Sequence, residues 1–348
     1  MNRSLLDSLL EQIDSFPKSL DNDDKGFFDL PQEQANRIIC NEYKAVCGAS
    51  QDQCELVITI GLELEKATKH AMTENDPEKL LVESIRIERK IEREVPENVY
   101  VCALQSVKSV KALYYHKKKN WNKALAATLE CNTLNDYLVL QGIHSLALRM
   151  FVQNRNIGSI LLKEQKFDRA YSLLFNLFDY LFNGASTKLY GNSFTSPAIW
   201  EKTEVLRERF IYDMFIIQLK DSVRFNFYNT ESYLPSDWYL NLKFKASNTN
   251  RKIISDWIYI NKKLRENNLK EYFIALTNFL SEPIISHYDI LKLSLIHDFL
   301  KLLEKFDDPD KQVLKHKISF YLNDKLTKHT IMREIMIKKL NKQIRVSA

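Results

Sequence analysis

The chain has 348 residues and a net charge of +5, and only seven residues are Gly and eight are Pro, together about a third of average usage. This composition argues against folds built from tight β-hairpins and against glycine-dependent phosphate loops, neither of which has a motif here. No apolar run approaches the roughly 18 residues that span a bilayer, so no membrane insertion is expected.

Apolar residues recur with the helical period along nearly the whole chain, which predicts an all-α protein. Asp76 before Pro77 and Asp308 before Pro309 are predicted N-caps. The predicted helices cover residues 5–16, 32–47, 52–73, 78–95, 98–118, 121–133, 136–165, 167–183, 198–228, 248–265, 269–280, 285–306, 310–323 and 325–345.

The clearest internal boundary is the low-charge segment after Asn183, which contains two of the seven glycines. It predicts an N-terminal helical lobe over residues 1–183 and a linker loop over 184–197. A C-terminal helical lobe with a basic last helix follows over 198–348.

Two windows of the N-terminal lobe, 46 residues apart, carry small and large residues at the same offsets. This pattern resembles the tetratricopeptide repeat, in which small residues let paired helices cross closely, although that family repeats about every 34 residues. A generic helical bundle is the alternative. The matched residues are Gly158, Leu161, Phe167, Ala170 and Leu177 in one window, and Ala112, Tyr115, Trp121, Ala124 and Cys131 in the other.

The resemblance implies stacked antiparallel hairpins, as an α-solenoid or helical-repeat superhelix, in which the first helix of each hairpin lines a groove. The groove would bind another protein or a peptide, and its basic character favours an acidic partner. Simple solvation of these side chains is the other interpretation. The implied groove set is Ser106, Ser109, Leu113, His116, Lys117, Val152, Arg155, Ser159, Leu162 and Lys163, of which His116, Lys117, Arg155, Ser159 and Lys163 are the predicted binding residues.

Nucleic-acid binding is the alternative function, because six lysines and several aromatic residues lie between Glu97 and Glu130 without an intervening acid. Tyr115 and Trp121, however, occupy the core offsets of their hairpin. The predicted basic patch comprises Lys118, Lys119, Lys123, Lys338, Lys339 and Lys342.

Cys40, Cys47 and Cys54 recur every seven residues, but the nearest histidine, His70, is sixteen residues away. A structural zinc site needs four ligands at short spacing, so reduced thiols and a cytosolic chain are expected, with the nucleus left open. No catalytic or cofactor motif occurs, and no cofactor is expected. The sequence therefore predicts a non-catalytic adaptor, scaffold or regulator; an enzyme with scattered site residues is a third hypothesis, and partner identity and oligomeric state stay open.

Overall fold

The structure, a computed structural model, describes residues 3–20, 32–184, 188–204, 207, 211–212, 215–219, 237–305, 310–328 and 330–346. Within these ranges every regular element is a helix, and the one extended contact is an isolated β-bridge between Leu20 and Ile285. The all-α prediction is therefore confirmed. Each of the described helices is too short or too polar to cross a membrane.

The helices follow the predicted order, and their bounds differ most from the predicted ones between residues 121 and 165. The predicted N-cap Asp308 and most of the predicted helix 198–228 lie outside the described residues. The helices are α1 (Arg3–Gln12), α2 (Gln32–Cys47), α3 (Gln51–Thr73), α4 (Glu78–Glu94), α5 (Glu97–Lys117), α6 (Trp121–Gln141), α7 (Ala147–Lys163), α8 (Phe167–Asn183), α9 (Pro197–Lys202), α10 (Thr249–Arg265), α11 (Leu269–Ser281), α12 (Asp289–Leu303), α13 (Lys311–Asp324) and α14 (Thr330–Val346).

Contacts group the chain into two compact units whose bounds differ from the predicted lobes. The hairpin unit comprises Phe27–Ile211, and the terminal unit comprises Met1–Gly26 together with Tyr212–Ala348. Helix α1 thus belongs with the C-terminal helices, and the change of unit falls after Ile211 instead of within 184–197. The reason is tertiary, since the apolar face of α1 packs against α11.

Antiparallel helix pairs build the hairpin unit: α3 with α4, α5 with α6, and α7 with α8. Helices α3 and α4 both contact α5, and α6 contacts α7, so each pair packs against the next. Gly158 on α7 faces α8 so closely that a Cβ there would lie 3.1 Å from Leu174 Cδ2. This contact confirms the close helix approach expected from a glycine inside a helix.

The turns within these three hairpins share one backbone geometry that uses no glycine. Asn75, Lys119 and Gln165 have left-handed φ values of 55°, 56° and 61°, and they are spaced 44 and 46 residues apart. In each turn, this residue donates its N–H to the carbonyl three residues earlier, and the next residue donates to the carbonyl five residues earlier. The paired bonds satisfy the last helical carbonyls, as in a Schellman motif. The α3–α4 hairpin therefore shares the turn of the two hairpins that the sequence pattern identified.

Replacing Gln165 by glycine is expected to raise the free energy of unfolding of the hairpin unit by about 0.5–1 kcal/mol. Glycine reaches the left-handed region without the steric cost that a Cβ imposes, and this gain exceeds its larger loss of chain entropy. Gln165→Ala keeps the steric cost and serves as the control. Urea denaturation of both variants measures the difference, and equal midpoints would contradict the strain at this turn.

The boundary predicted after residue 133 is wrong, because α6 continues to Gln141. It ends at Gly142, whose φ of 115° provides the left-handed C-cap. Asn132, Asn135 and Asp136 have the composition of a turn, but all three side chains are buried within α6. Tertiary hydrogen bonds to two of them outweigh their low helix propensity.

Part of the predicted linker is bonded into the hairpin unit. The backbone of Tyr190 accepts a hydrogen bond from Asn154 Nδ2 at 3.1 Å and donates one to Asn154 Oδ1 at 3.0 Å. Both carboxylate oxygens of Asp136 accept backbone N–H groups at 2.8 Å, one from Asn192 and one from Ser193. Hydrogen bonds therefore hold residues 190–193, which we call the wall, against α6 and α7. The turn-forming residues of this segment do not reveal these bonds in the sequence.

The terminal unit is organised around a buried carboxylate at the start of α12. Asp289 is fully buried and accepts hydrogen bonds from Ser19 Oγ, Thr327 N and Lys328 N at 2.5, 2.8 and 2.9 Å. Burial raises the pKa of Asp289, while these donors and the nearby Lys292 charge act in the opposite direction. One side chain thus joins three segments that are distant in sequence.

Candidate partner-binding surface

Helices α5 and α7, the first helices of neighbouring hairpins, lie side by side in parallel. Arg149 Nη1 donates to Ser106 Oγ at 3.2 Å, and Gln153 Nε2 donates to Ser109 Oγ at 3.3 Å. Residue numbers increase in the same direction along both helices. This is the placement that the predicted groove requires.

Two serines of the predicted groove set, Ser106 and Ser109, accept these hydrogen bonds. Ser106 is buried and therefore does not line an open surface. Arg149 also donates to Gln105 Oε1 at 3.1 Å. Gln105, Arg149 and Gln153, which form hydrogen bonds between α5 and α7, were not predicted from the sequence. Their signal was polar character on helix faces that are otherwise apolar, a pattern that also fits solvent exposure.

The structure brings His116 close to Lys117 and Lys163, at the ends of α5 and α7. The His116 ring is half-buried and lies 5.2 Å from the Trp121 ring, centroid to centroid. Burial lowers the pKa of His116 from 6.5, and the positive charges of Lys117 and Lys163 lower it further. Both lysines are exposed. This end of the two helices is therefore a cluster of positive charge around a histidine.

Arg155 and Ser159 precede Lys163 by eight and four residues on α7, so the helical period places them along one side of that helix. Both side chains are half-buried. Arg155 Nη2 donates to Asn156 Oδ1 at 3.3 Å. We call the surface formed by His116, Lys117, Arg155, Ser159 and Lys163 the α5–α7 face.

Three of the six lysines between Glu97 and Glu130 are paired with carboxylates of neighbouring helices, and one of these three, Lys118, belongs to the predicted basic patch. Lys108 Nζ lies 2.8 Å from Glu130 Oε1, and Lys111 Nζ lies 2.5 Å from Glu88 Oε2. A third lysine, Lys118, is paired in the same way with a carboxylate of α4 at 2.8 Å. The side-chain hydrogen bond in that pair raises the pKa of Lys118.

Among the described residues, by contrast, Lys117 and Lys163 form no ion pair. These two lysines therefore place available positive charge on the α5–α7 face. The continuous lysine cluster read from the sequence divides into paired and available members because helix packing determines which carboxylates are near.

Lys119 and Lys123, the other two members of the patch near the α5–α6 turn, are also exposed. Lys119 occupies the left-handed turn position, and Lys123 Nζ lies 5.6 Å from the centroid of the Tyr115 ring. Trp121 contacts His116. The two aromatic rings thus already have intramolecular partners, which leaves charge as the main feature that a nucleic acid could use.

Lys338, Lys339 and Lys342 lie on α14 of the terminal unit and are exposed. The same helix buries Met336 and Leu340 and packs against α13. The helix therefore docks within the chain through its apolar residues. Its lysines face solvent because the apolar stripe occupies the opposite side.

Four thiols gather where α2, α3 and α5 meet. Cys47 Sγ lies 4.0 Å from Cys102 Sγ, and Cys54 Sγ lies 3.6 Å from the carbonyl oxygen of Cys40. Burial raises the pKa of Cys54 to about 11. Over the described part of the chain, no group of three or more His, Cys, Asp or Glu side chains is arranged to hold a metal ion.

A shallow cleft of about 310 Å³ lies between α7, α8 and the wall at residue 190. Leu161 and Leu173 form its apolar base, and Arg169, Lys188 and Asp168 lie at its edge. It is near the lower size limit of small-molecule sites, which is about 300 Å³, and it carries charges of both signs.

No family model, curated protein or solved structure matches this chain.

Proposed function

We propose that the chain is a non-catalytic adaptor, scaffold or regulator that binds an acidic segment of a protein partner along the α5–α7 face. The observation that carries this proposal is the charge distribution. Lys117 and Lys163 are exposed beside His116, whereas Lys108, Lys111 and Lys118 are paired with carboxylates. Carboxylates of a partner would supply the counter-charges that Lys117 and Lys163 lack.

The arrangement of the hairpins supports the same proposal. We infer that the three pairs with matching turns form a short helical-repeat solenoid of tetratricopeptide-like character, with α3, α5 and α7 as its inner helices. Helix α5 has 21 residues. At about 1.5 Å per residue it is about 30 Å long, enough for about nine residues of an extended peptide.

Reversing the charges of Lys117 and Lys163 together to glutamate is expected to weaken binding of an acidic peptide by about tenfold, that is, by about 1.4 kcal/mol. The probe is a fluorescein-labelled decapeptide of glutamate, and fluorescence anisotropy measures its affinity. Both side chains are exposed, so the melting temperature should stay the same.

The matched control is the Lys188→Glu and Lys202→Glu pair, which changes the net charge equally at exposed positions of the same unit. Equal weakening in both pairs would show attraction to overall charge and would contradict a site on the α5–α7 face. A glutamine decapeptide tests whether carboxylates are required.

Binding of the acidic peptide is expected to strengthen as the pH falls from 7.5 to about 5.5. The lowered pKa keeps His116 neutral at neutral pH, and protonation adds a positive charge that a bound carboxylate stabilises. The sign for folding is opposite: the stability contributed by neutral His116 is present above its unfolded pKa and is lost as the pH falls from there through the lowered folded pKa. His116→Gln should remove the extra gain in affinity at low pH, and an unchanged pH profile in that variant would contradict the role of His116.

Contact with nucleic acid through Lys119 and Lys123, or through Lys338 and Lys342 of the terminal unit, is the second candidate function. These four lysines are exposed and form no ion pair with the described residues. Fluorescence anisotropy with a random oligonucleotide tests this second function at low salt, where contacts to phosphates are strongest. The logarithm of the affinity should then fall linearly with the logarithm of the salt concentration. Oligonucleotide binding that survives charge reversal on the α5–α7 face would favour this second function.

A further inference from the structure

We propose that Cys47 and Cys102 form a redox modification site, in which hydrogen peroxide converts the two thiols to a disulfide that links α2 to α5. The two sulfur atoms are 4.0 Å apart, although 55 residues separate them in the sequence. A disulfide has an S–S length of about 2.05 Å, so the sulfurs need to approach by about 2 Å. This inference is independent of partner binding at the α5–α7 face.

Neighbouring hydrogen bonds hold the two helices in this position. Asn98 Nδ2, one turn before Cys102 on α5, donates to the carbonyl oxygen of Cys47 at 3.0 Å. The same amide lies 3.4 Å from Gln53 Oε1 at the start of α3. The end of α2 is thus attached to the first turn of α5, which keeps the thiols adjacent through thermal motion.

The two thiols differ in accessibility, which suggests their order of reaction. Cys47 is partly exposed as the last residue of α2, whereas Cys102 is 1% exposed. Burial raises the pKa of Cys102 well above its usual range. We therefore assign the attack on the peroxide to Cys47 and the second step to Cys102.

The reaction balances with hydrogen peroxide as the oxidant. The Cys47 sulfur attacks one peroxide oxygen, the O–O bond breaks, and Cys47 sulfenic acid and one water are produced. The Cys102 sulfur then attacks the Cys47 sulfur, forming the S–S bond and breaking the S–O bond. The hydroxide leaves with the Cys102 proton as a second water. The two sulfurs are oxidised, and the peroxide oxygens are reduced.

The other cysteines provide internal comparisons. The Cys54 thiol donates to the carbonyl oxygen of Cys40 at 3.6 Å and also interacts with the Cys40 thiol, so these two residues are the competing pair. Cys131 is fully buried and bonded to the carbonyl oxygen of Gln105 at 3.3 Å. Cys131 is therefore the buried comparison, and the peptide map must distinguish a Cys47–Cys102 disulfide from one between Cys40 and Cys54.

The test treats the reduced full chain with hydrogen peroxide, blocks remaining thiols with N-ethylmaleimide and maps peptides by mass spectrometry without reduction. We expect a cross-linked peptide pair containing Cys47 and Cys102, lighter by about 2 Da than the two reduced peptides together. Cys131 should be recovered as the alkylated thiol. Oxidation of Cys131 to the same extent, or preferential pairing of Cys47 with Cys40 or Cys54, would overturn the proposal.

Two cysteine variants test the order of attack and the specificity of the cross-link. Cys102→Ser should leave a dimedone-reactive sulfenic acid on Cys47, and Cys131→Ser should leave the cross-link unchanged. Absence of the dimedone adduct in a folded Cys102→Ser chain would contradict the assigned order of attack. If Cys102→Ser does not fold, the peptide map of the unmodified chain still decides whether the disulfide forms.

Discussion

Replacing Gly191 by alanine is expected to lower the free energy of unfolding of the hairpin unit by about 3 kcal/mol, through backbone strain and overpacking. Gly191 has a φ of 131° and a ψ of 131°, a conformation that residues with a Cβ rarely adopt. An added Cβ would also lie 2.4 Å from Met150 Cε and 3.1 Å from Asp136 Oδ1.

Both neighbours of Gly191 are constrained, and Asp136 is constrained more strongly than Met150, whose Cε is the end of a flexible side chain. Met150 is fully buried, and its sulfur accepts a hydrogen bond from Ser193 Oγ at 3.3 Å. Asp136 already holds the backbone N–H groups of Asn192 and Ser193. A shift of the Asp136 carboxylate would therefore disturb the bonds that attach residues 192 and 193 to α6, and the burial of Met150 leaves little room for its Cε to turn away.

Gly61→Ala is the matched control for this prediction. Gly61 lies within α3 and has no atom within 4 Å of an added Cβ, so alanine there should stabilise the helix by up to about 1 kcal/mol. Thermal melting should show a loss of roughly 6 to 12 °C for Gly191→Ala and a small gain for Gly61→Ala. Similar melting temperatures for the two variants would rule out the constraint at Gly191.

Replacing Asp289 by alanine is expected to destabilise the terminal unit by about 4 kcal/mol, because buried donors then lack their acceptor. The carboxylate receives a side-chain hydroxyl from Ser19 and backbone N–H groups from Thr327 and Lys328. These donors would need water that cannot reach a fully buried site. Lys292, whose pKa is lowered to about 8 by burial, would also lose its nearby negative charge.

Two further variants separate the causes of this loss. Asp289→Asn keeps the volume and one acceptor oxygen, so its loss should be intermediate. Asp256→Ala removes an exposed carboxylate paired with Lys252 at 2.6 Å, an interaction of about 1 kcal/mol or less. Hydrogen exchange of α12 and of Thr327 and Lys328 locates the effect, and unchanged protection at those amides in Asp289→Ala would contradict the bridging role.

The hairpins were predictable because their determinants are close in sequence. Gly158 and Ala170 mark a close crossing of α7 and α8, and the short turns between paired helices require antiparallel packing. The α3–α4 hairpin was not predicted as a repeat, because it matches the other two in the backbone of the turn at Asn75 and not in the side-chain pattern. Similar turns form from Asn, Lys and Gln, so the sequence carries little trace of them.

The sequence did not predict which lysines would be paired with carboxylates. Lys117 and Lys118 are adjacent and chemically identical, yet only Lys118 lies 2.8 Å from a Glu78 oxygen. Glu78 is distant in sequence and reaches this position through the packing of α4 on α5. Which lysine remains available is therefore a property of helix packing.

Composition and local periodicity were sufficient for the all-α class and for most helix bounds, since helix formation and capping depend on residues within a few positions of one another. Tertiary structure decided where polar residues belong. Asn132 and Asp136 lie inside a helix instead of ending it, and residues 190–193 are a wall instead of a linker. The physical reason is that a buried polar group must find its hydrogen-bond partner, and here that partner is more than fifty residues away along the chain.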